Sequence, residues 1–159
     1  MILTAFNAKG GVGKTTTAIN LSAGLAARGK RVLLVDLDSQ SSASLGLGVL
    51  RTDLSPSAAD VLMDGRPVRE AVRQTAVDRL DLLTGSPELA NADLALVDIR
   101  GRESHLKTTL QPIRKDYDFV VIDSAPSLSL LTVNALVAAD WYVVPVSYTH
   151  LTLPTNREV

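Results

Sequence analysis

The chain has 159 residues, of which 46% are hydrophobic and 21% charged; this describes about one globular domain with a real core and excludes a disordered chain. Its formal net charge of −1 gives no support for a strongly basic nucleic-acid-binding surface in this stretch. There are no cysteines, which excludes disulfides, thiolate zinc sites and cysteine-held iron–sulfur clusters for these residues.

We expect neither a secretory signal nor a membrane span. The first apolar run is too short for a signal and has no basic segment ahead of it. The stretch that most resembles a span, residues 128–146, is interrupted by Asn134, Asp140 and Pro145. We interpret it as a helix followed by a strand.

The chain opens with a strand, a loop, a helix and a second strand. A short apolar run, residues 2–6, predicts the first strand, and residues 16–28 carry a helical stripe that ends at Gly29. Residues 31–36 predict the second strand. Because a strand–helix–strand crossover is right-handed and joins parallel strands, we expect a parallel sheet.

The loop between the first strand and the helix has the form that binds phosphate groups. Its glycines let backbone N–H groups turn toward a phosphate at the positive N-terminus of a helix. Lys14 adds a charge that can reach the β- and γ-phosphates of a nucleotide, and the Thr15 hydroxyl is placed to bind Mg²⁺. The predicted nucleotide-binding residues are Lys9, Gly10, Gly11, Val12, Gly13, Lys14, Thr15 and Thr16.

Carboxylates end two of the predicted strands. The second strand runs into Asp36 and Asp38, and the apolar run of residues 119–123 ends at Asp123. Open α/β sheets bind ligands outside the carboxyl ends of their strands, which favours a functional role for these residues. A carboxylate at the tip of a buried strand can hold a water ligand of Mg²⁺, so Asp123 is a predicted metal-site residue alongside Thr15.

The remaining sequence predicts further helices and strands. The predicted helices cover residues 57–63, 68–76, 87–97, 102–113 and 128–139, and the predicted strands cover residues 80–83, 119–123 and 141–146. Arginines 66, 69 and 73 are interpreted as a solvated helix face, which is commoner than a DNA contact. We interpret His105 as a surface histidine and Trp141 as part of the core.

Two features set the phosphate loop apart from the general form. Ala8 stands where the general pattern opens with a glycine, and Lys9 adds a second lysine. In both, the sequence from Lys9 to Thr16 resembles the deviant Walker A loop of the ParA/MinD ATPases. The resemblance implies that Lys9 reaches across a dimer interface to the nucleotide of the other subunit. Lys9 and Lys14, the two lysines of the loop, are both candidate catalytic residues.

The segment after the second strand resembles the first switch region of ParA proteins, Asp-x-Asp-Pro-Gln-Gly-Asn. The match implies that Asp38 orients or activates the attacking water, as a catalytic residue, and that Asp36 lies nearer the Mg²⁺ shell. Ser39, Ser41 and Ser42 stand where the family has Pro, Gly and Asn. Serines keep the polarity but lose the rigidity of Pro and the conformational freedom of Gly.

The resemblance implies an α/β fold of the P-loop NTPase type, a mostly parallel sheet with helices on both faces. It implies a Mg²⁺-dependent ATPase whose ATP-bound homodimer grips DNA non-specifically until a ParB-like activator stimulates hydrolysis. Such a protein would partition chromosomes or plasmids in the cytoplasm, associated with the nucleoid and without stable membrane insertion. Two alternatives stay open: a MinD-like regulator of the division site and a ParA-like positioner of protein cargo.

The resemblance extends from residue 2 to about Pro145. We expect residues 1–146 to be the N-terminal part of a ParA-like ATPase domain, without the parts that recognise adenine and hold DNA. We expect residues 147–159 to be a non-native tail, because Val146 to Thr155 can be encoded by a string that looks like a sequencing adapter. Missing strands would expose a sheet edge, so we expect a poorly stable fragment that is weak or inactive as an ATPase.

Overall fold

The computed structural model of the protein describes residues 1–147. The strands in this range are β1 (Ile2–Ala5), β2 (Val32–Leu37), β3 (Val72–Gln74), β4 (Leu80–Leu83), β5 (Phe119–Ser124) and β6 (Trp141–Val143). The α-helices are α1 (Lys14–Ala27), α2 (Ser42–Gly46), α3 (Ala58–Met63), α4 (Val68–Ala71), α5 (Ala92–Ala95), α6 (His105–Leu110) and α7 (Leu130–Ala138). Short 3₁₀ turns cover Arg51–Asp53, Pro87–Asn91, Arg102–Ser104 and Gln111–Asp116.

The strands form one sheet in the order β3-β4-β2-β5-β1-β6. All neighbouring pairs are parallel except β3 with β4, which is antiparallel at one edge. The mostly parallel α/β sheet expected from the sequence is therefore confirmed. The central strand β2 is buried along its whole length, which explains why its sequence is a continuous apolar run instead of an alternation.

Helices cover both faces of the sheet, and alternate residues of β2 divide between them. Leu33 and Val35 belong to a core cluster that includes residues of α3, α5, α6 and α7. Val32 and Leu34 belong to a second cluster, with small residues of α1 and α2. Because successive side chains of a strand point to opposite faces, one strand supplies both cores.

Several predicted elements are shorter than expected. The predicted helix over residues 68–76 ends at Ala71, and Val72 begins β3, which pairs with β4. The β-branched Val72 fits a pleated edge, and its pairing with Leu83 was not visible in the local pattern. The predicted helix over residues 87–97 is divided into one 3₁₀ turn and α5, and the predicted helix over residues 102–113 into two 3₁₀ turns with α6 between them. The predicted strand over residues 141–146 ends at Val143.

The interpretation of Trp141 as part of the core is wrong. Trp141 lies in β6, which pairs only with β1 among the described strands, and 64% of its surface is exposed. His105 is half-buried, and its Nε2 lies 3.0 Å from the carbonyl oxygen of Leu62, so it contacts the core side of α3 instead of lying free on the surface.

Two of the arginines interpreted as a solvated face fix neighbouring backbone. The guanidinium of Arg73 donates to carbonyl oxygens of the loop that precedes α3, at Leu54 and Pro56. Arg69 donates to the carbonyl oxygen of Pro112 and forms an ion pair of 2.6 Å with Asp116. Arg69 and Arg73 therefore stabilise loops of the fold by donating hydrogen bonds to their backbone carbonyl oxygens.

Residues 148–159 lie outside the described residues, and with them nearly all of the predicted non-native tail. Among the helices that the structure does describe, none combines the length and the apolar character needed to cross a membrane.

Candidate functional site

The carboxyl ends of β1, β2 and β5 meet at one edge of the sheet. In the register of the sheet, Asp123 of β5 is paired with Ala5 of β1 on one side and with Asp36 of β2 on the other. The loops that follow these strands enclose a cleft of about 360 Å³. Its lining consists of Gly11, Gly13, Lys14, Thr15, Thr16, Asp38, Ser42, Ser124 and Pro126.

The phosphate loop has the backbone that its glycines predict. Gly11 and Gly13 have φ of 72° and 88°, a left-handed conformation that costs a residue with a Cβ about 1–2 kcal/mol. The N–H groups of Gly10, Gly11 and Gly13 donate no hydrogen bond within the described part of the chain. The next residue, Lys14, begins the 14-residue helix α1, so the loop opens on a helix N-terminus.

The two lysines of the loop have different environments. Lys14 is 6% exposed, lines the cleft, and donates from Nζ to the carbonyl oxygen of Lys9 at 2.9 Å. Lys9 is exposed, and its backbone N–H donates to Oδ1 of Asn7 at 2.9 Å. Lys9 belongs to the loop but does not line the cleft; the same is true of Gly10 and Val12.

Asp123 is a buried carboxylate without a hydrogen-bond partner. None of its surface is exposed, and neither oxygen accepts a hydrogen bond from the described residues. The pKa of Asp123 is raised to about 7, chiefly by burial and also by the carboxylates of Asp36 and Asp38, against the opposing effects of the Thr15 hydroxyl and the Lys14 ammonium.

A Mg²⁺ ion fits this arrangement. Mg²⁺ prefers oxygen ligands and is commonly held by one or two protein groups together with waters and substrate phosphates. The unsatisfied oxygens of Asp123 and the nearby Thr15 hydroxyl supply such ligands. No cluster of three or more acidic, histidine or cysteine side chains that could hold a metal occurs in residues 1–147, so phosphate oxygens and waters would have to complete the site.

Asp36 is also fully buried, but its loop satisfies it. Its Oδ1 accepts from the N–H of Asp38 at 3.1 Å, and its Oδ2 accepts from the N–H and the hydroxyl of Ser44 at 2.9 and 2.7 Å. Burial raises the pKa of Asp36, and these hydrogen bonds oppose the rise. The geometry therefore indicates that Asp36 holds the segment from Asp38 to Ser44 in place, and its assignment to the Mg²⁺ shell stays a prediction.

Asp38 is half-buried and lines the same cleft as Lys14 and Thr15. Its Oδ1 accepts from the N–H of Gln40 at 2.9 Å, and its carbonyl oxygen accepts from the N–H of Ser41 at 2.9 Å. The carboxylate predicted to act on water and the loop predicted to bind phosphate thus share one space.

Ser41 has a left-handed backbone conformation. Its φ is 56° and ψ 32°, at the residue that precedes α2, and its buried hydroxyl has no hydrogen-bond partner among the described residues. This is the position where the ParA pattern has glycine. The conformation is easy for glycine and strained for serine, which gives a physical meaning to one of the three departures.

Three further residues line the cleft, and one residue beside the site, Gly85, was missed in the sequence. Ser42, Ser124 and Pro126 line the cleft, and Gly85, in the loop after β4, donates its N–H to the Ser44 hydroxyl at 3.0 Å. The position of Gly85 just after a predicted strand was the available signal, because loops at the carboxyl ends of parallel strands meet at one edge.

Comparison with known proteins gives consistent matches. The sequence pattern of the family described as AAA domain (AAA_31) matches residues 1–155. The sporulation initiation inhibitor protein Soj of Bacillus subtilis (strain 168) is 46% identical over 145 residues, which are 91% of this chain and 57% of Soj. The chromosome partitioning protein ParA of Myxococcus xanthus (strain DK1622) is 43% identical over 144 residues, which are 91% of this chain and 51% of that ParA.

A solved structure has the same fold. The crystal structure of cobyrinic acid a,c-diamide synthase from Mycobacterium smegmatis, with bound ADP and magnesium, matches with a TM-score of 0.88 at 40% identity. The match covers 91% of this chain and 59% of that one. The chain spans about half the length of the curated relatives it matches.

We expect the substitution Ser41→Gly to stabilise the protein. It removes a left-handed strain and a buried hydroxyl without a partner, so the free energy of unfolding in urea should rise by about 1 kcal/mol. Ser39→Gly is the matched control, since Ser39 does not have a positive φ, and it should lower that free energy by up to about 1 kcal/mol. Equal stabilities of the two variants would contradict the strain at Ser41.

Proposed function

Because this chain belongs to the AAA domain family AAA_31, the ParA/MinD type of P-loop ATPase, we propose that the intact protein binds and hydrolyses ATP with Mg²⁺ to partition DNA. The observation that carries the proposal is the shared cleft: the phosphate loop and Asp38 line one space, beside the buried carboxylate of Asp123. The names of Soj and ParA among the relatives support partitioning as the biological role.

Nucleotide binding is the best supported step. Three free N–H groups and a helix N-terminus provide a positive concave surface, and the Lys14 ammonium adds a full charge at the cleft. Thr15 and Asp123 would hold Mg²⁺, which would neutralise phosphate charge when bound. The M. smegmatis relative, whose structure contains ADP and magnesium, supports the same pair of ligands here.

Hydrolysis is assigned to Asp38. A water that attacks the terminal phosphate must be oriented toward it, and Asp38 reaches the cleft from a loop held by hydrogen bonds. Positioning and electrostatic stabilisation supply nearly all of the catalysis in phosphoryl transfer. A carboxylate fixed beside the phosphate loop would supply the positioning of the water.

Dimerisation on ATP is assigned to Lys9. Its side chain is exposed and outside the lining of its own cleft, whereas Lys14 already serves that cleft. An exposed lysine beside a phosphate loop is suited to contact a nucleotide held by a second copy of the chain. In the proposed cycle the ATP-bound dimer associates with DNA at the nucleoid, and a ParB-like activator stimulates hydrolysis and release.

In the intact protein, Lys14→Ala should abolish detectable ATP binding, because it removes the charge that faces the phosphates. Titration with a fluorescent ATP analogue measures this directly. Lys30→Ala is the matched control: Lys30 is exposed and precedes β2, so it lies at the opposite end of that strand from the cleft. Wild-type affinity in Lys14→Ala would show that the cleft is not the nucleotide site.

Asp38→Ala should slow ATP turnover by about 100-fold or more while nucleotide affinity stays near wild type, because orientation of water matters most in the transition state. Steady-state phosphate release and analogue titration separate the two quantities. The control is Asp78→Ala, whose side chain is 94% exposed near the start of β4. If Asp38→Ala turns over ATP at the wild-type rate, Asp38 is an ordinary loop carboxylate.

Lys9→Ala should retain nucleotide binding by the monomer but lose the dimer that forms with ATP. Light scattering with and without a slowly hydrolysed ATP analogue measures the change in mass. Lys107→Ala, an exposed lysine of α6, should dimerise like the wild type. An unchanged ATP-induced dimer in Lys9→Ala would reject the action of Lys9 between subunits.

A further inference from the structure

A buried chain of hydrogen bonds joins the loop after β4 to the loop after β2. The N–H of Gly85 donates to Oγ of Ser44 at 3.0 Å, and that hydroxyl donates to Oδ2 of Asp36 at 2.7 Å. The other oxygen of Asp36 accepts from the N–H of Asp38 at 3.1 Å. Gly85 and Ser44, which are 41 positions apart in sequence, are thus linked through Asp36 to the backbone N–H of Asp38.

Gly85 also packs directly against the segment that carries Asp38. A Cβ added at Gly85 would lie 2.7 Å from the carbonyl oxygen of Asp38 and 2.8 Å from Cγ of Asp36. These contacts are too close for any side chain, and the first involves backbone that cannot rotate away. Gly85 does not have a left-handed φ, so space and not conformation requires glycine here.

The peptide groups on both sides of Asp38 are therefore fixed. Its N–H donates to Asp36, and its carbonyl oxygen accepts from the N–H of Ser41 and occupies the space that a Cβ on Gly85 would need. The side chain that lines the cleft departs from a backbone that cannot shift without breaking a buried contact. We propose that Gly85 and Ser44 are positioning residues, which hold the Asp38 carboxylate where it acts on the attacking water.

This inference rests on the proposed ATP hydrolysis, and it concerns two residues that make no contact with the cleft themselves. Its signature is a separation of turnover from binding. A displacement of a reacting group by about 1 Å can cost about 100-fold in rate, whereas the phosphate loop that gives nucleotide affinity lies on a different strand end. A merely structural role would lower stability without separating the two quantities.

The first test is Gly85→Ala in the purified protein. We expect kcat for ATP hydrolysis to fall about 10- to 100-fold while the dissociation constant for a fluorescent ATP analogue changes less than about twofold. Gly24→Ala is the matched control, because Gly24 lies in α1 with open space around it and no left-handed φ. Wild-type kcat in Gly85→Ala, beside active wild-type protein, would overturn the inference.

The second test compares Ser44→Ala with Ser44→Thr and also reads the loop without turnover. Ser44→Ala removes the hydroxyl that links Gly85 to Asp36, so kcat should fall below the wild-type value. Ser44→Thr keeps a hydroxyl at this position, so its kcat should stay closer to the wild-type value. Amide hydrogen exchange should quicken at Asp38 in Ser44→Ala and Gly85→Ala, with exchange in β5 unchanged as the control for folding.

The two readouts distinguish failure of this inference from failure of the proposed function. If wild-type protein hydrolyses no ATP, the proposed function fails, and the exchange rate at Asp38 still decides whether Gly85 and Ser44 hold the loop. If the Asp38 amide exchanges at the wild-type rate in both Gly85→Ala and Ser44→Ala, the positioning role is wrong whatever the turnover.

Discussion

The ligand-binding edge of the sheet is built around two carboxylates buried side by side on adjacent strands. Asp36 and Asp123 are paired in the register of β2 and β5, and neither is exposed to solvent. A buried charge is costly unless hydrogen bonds or an opposite charge stabilise it. Asp36 accepts three hydrogen bonds, from the N–H of Asp38 and from the N–H and hydroxyl of Ser44. The oxygens of Asp123 accept none within hydrogen-bonding geometry from the described residues, although Thr15 and Lys14 favour its charged form.

Positive and hydrogen-bond-donating groups at this edge of the sheet can stabilise the charge of Asp123. The Lys14 ammonium and the Thr15 hydroxyl favour the charged form of Asp123, and the glycine loop that precedes α1 lines the adjacent cleft. A bound cation would stabilise the charged form of Asp123, and a polyphosphate would in turn be stabilised by the cation and the loop. The structure therefore favours a ligand that brings Mg²⁺ and phosphate together over either one alone.

The chemistry of the site could be predicted where it depends on a contiguous run of residues. The phosphate loop is one such run, and Asp123 follows from an apolar strand that ends in a carboxylate. The structure brings Lys14, Thr15 and Asp38 to one cleft with Asp123 beside it, as the parallel order of the strands implies. The roles assigned to these residues are still predictions, since their chemistry has to be measured.

What the sequence could not predict depends on distant partners. Gly85 was marked only by its position just after a predicted strand, because its role depends on Asp36 and Asp38, which the pairing of β2 with β4 brings close to it. The same reason explains β3, which forms because Val72 pairs with Leu83, and the exposure of Trp141 on β6, the outermost of the described strands on that side of the sheet. The sequence shows only that Ser41 stands where the ParA pattern has glycine. The positive φ of Ser41 in the structure shows where the backbone is strained.

We propose that the buried carboxylate of Asp123, whose oxygens accept no hydrogen bond from the described residues, holds Mg²⁺ beside a bound nucleotide. The most direct measurement is ATP affinity with Mg²⁺ and with EDTA, in wild type and in Asp123→Asn, which keeps the shape and removes the charge. We expect Mg²⁺ to strengthen ATP binding in the wild type and to have little effect in Asp123→Asn. Equal dependence on Mg²⁺ in both proteins would contradict the account.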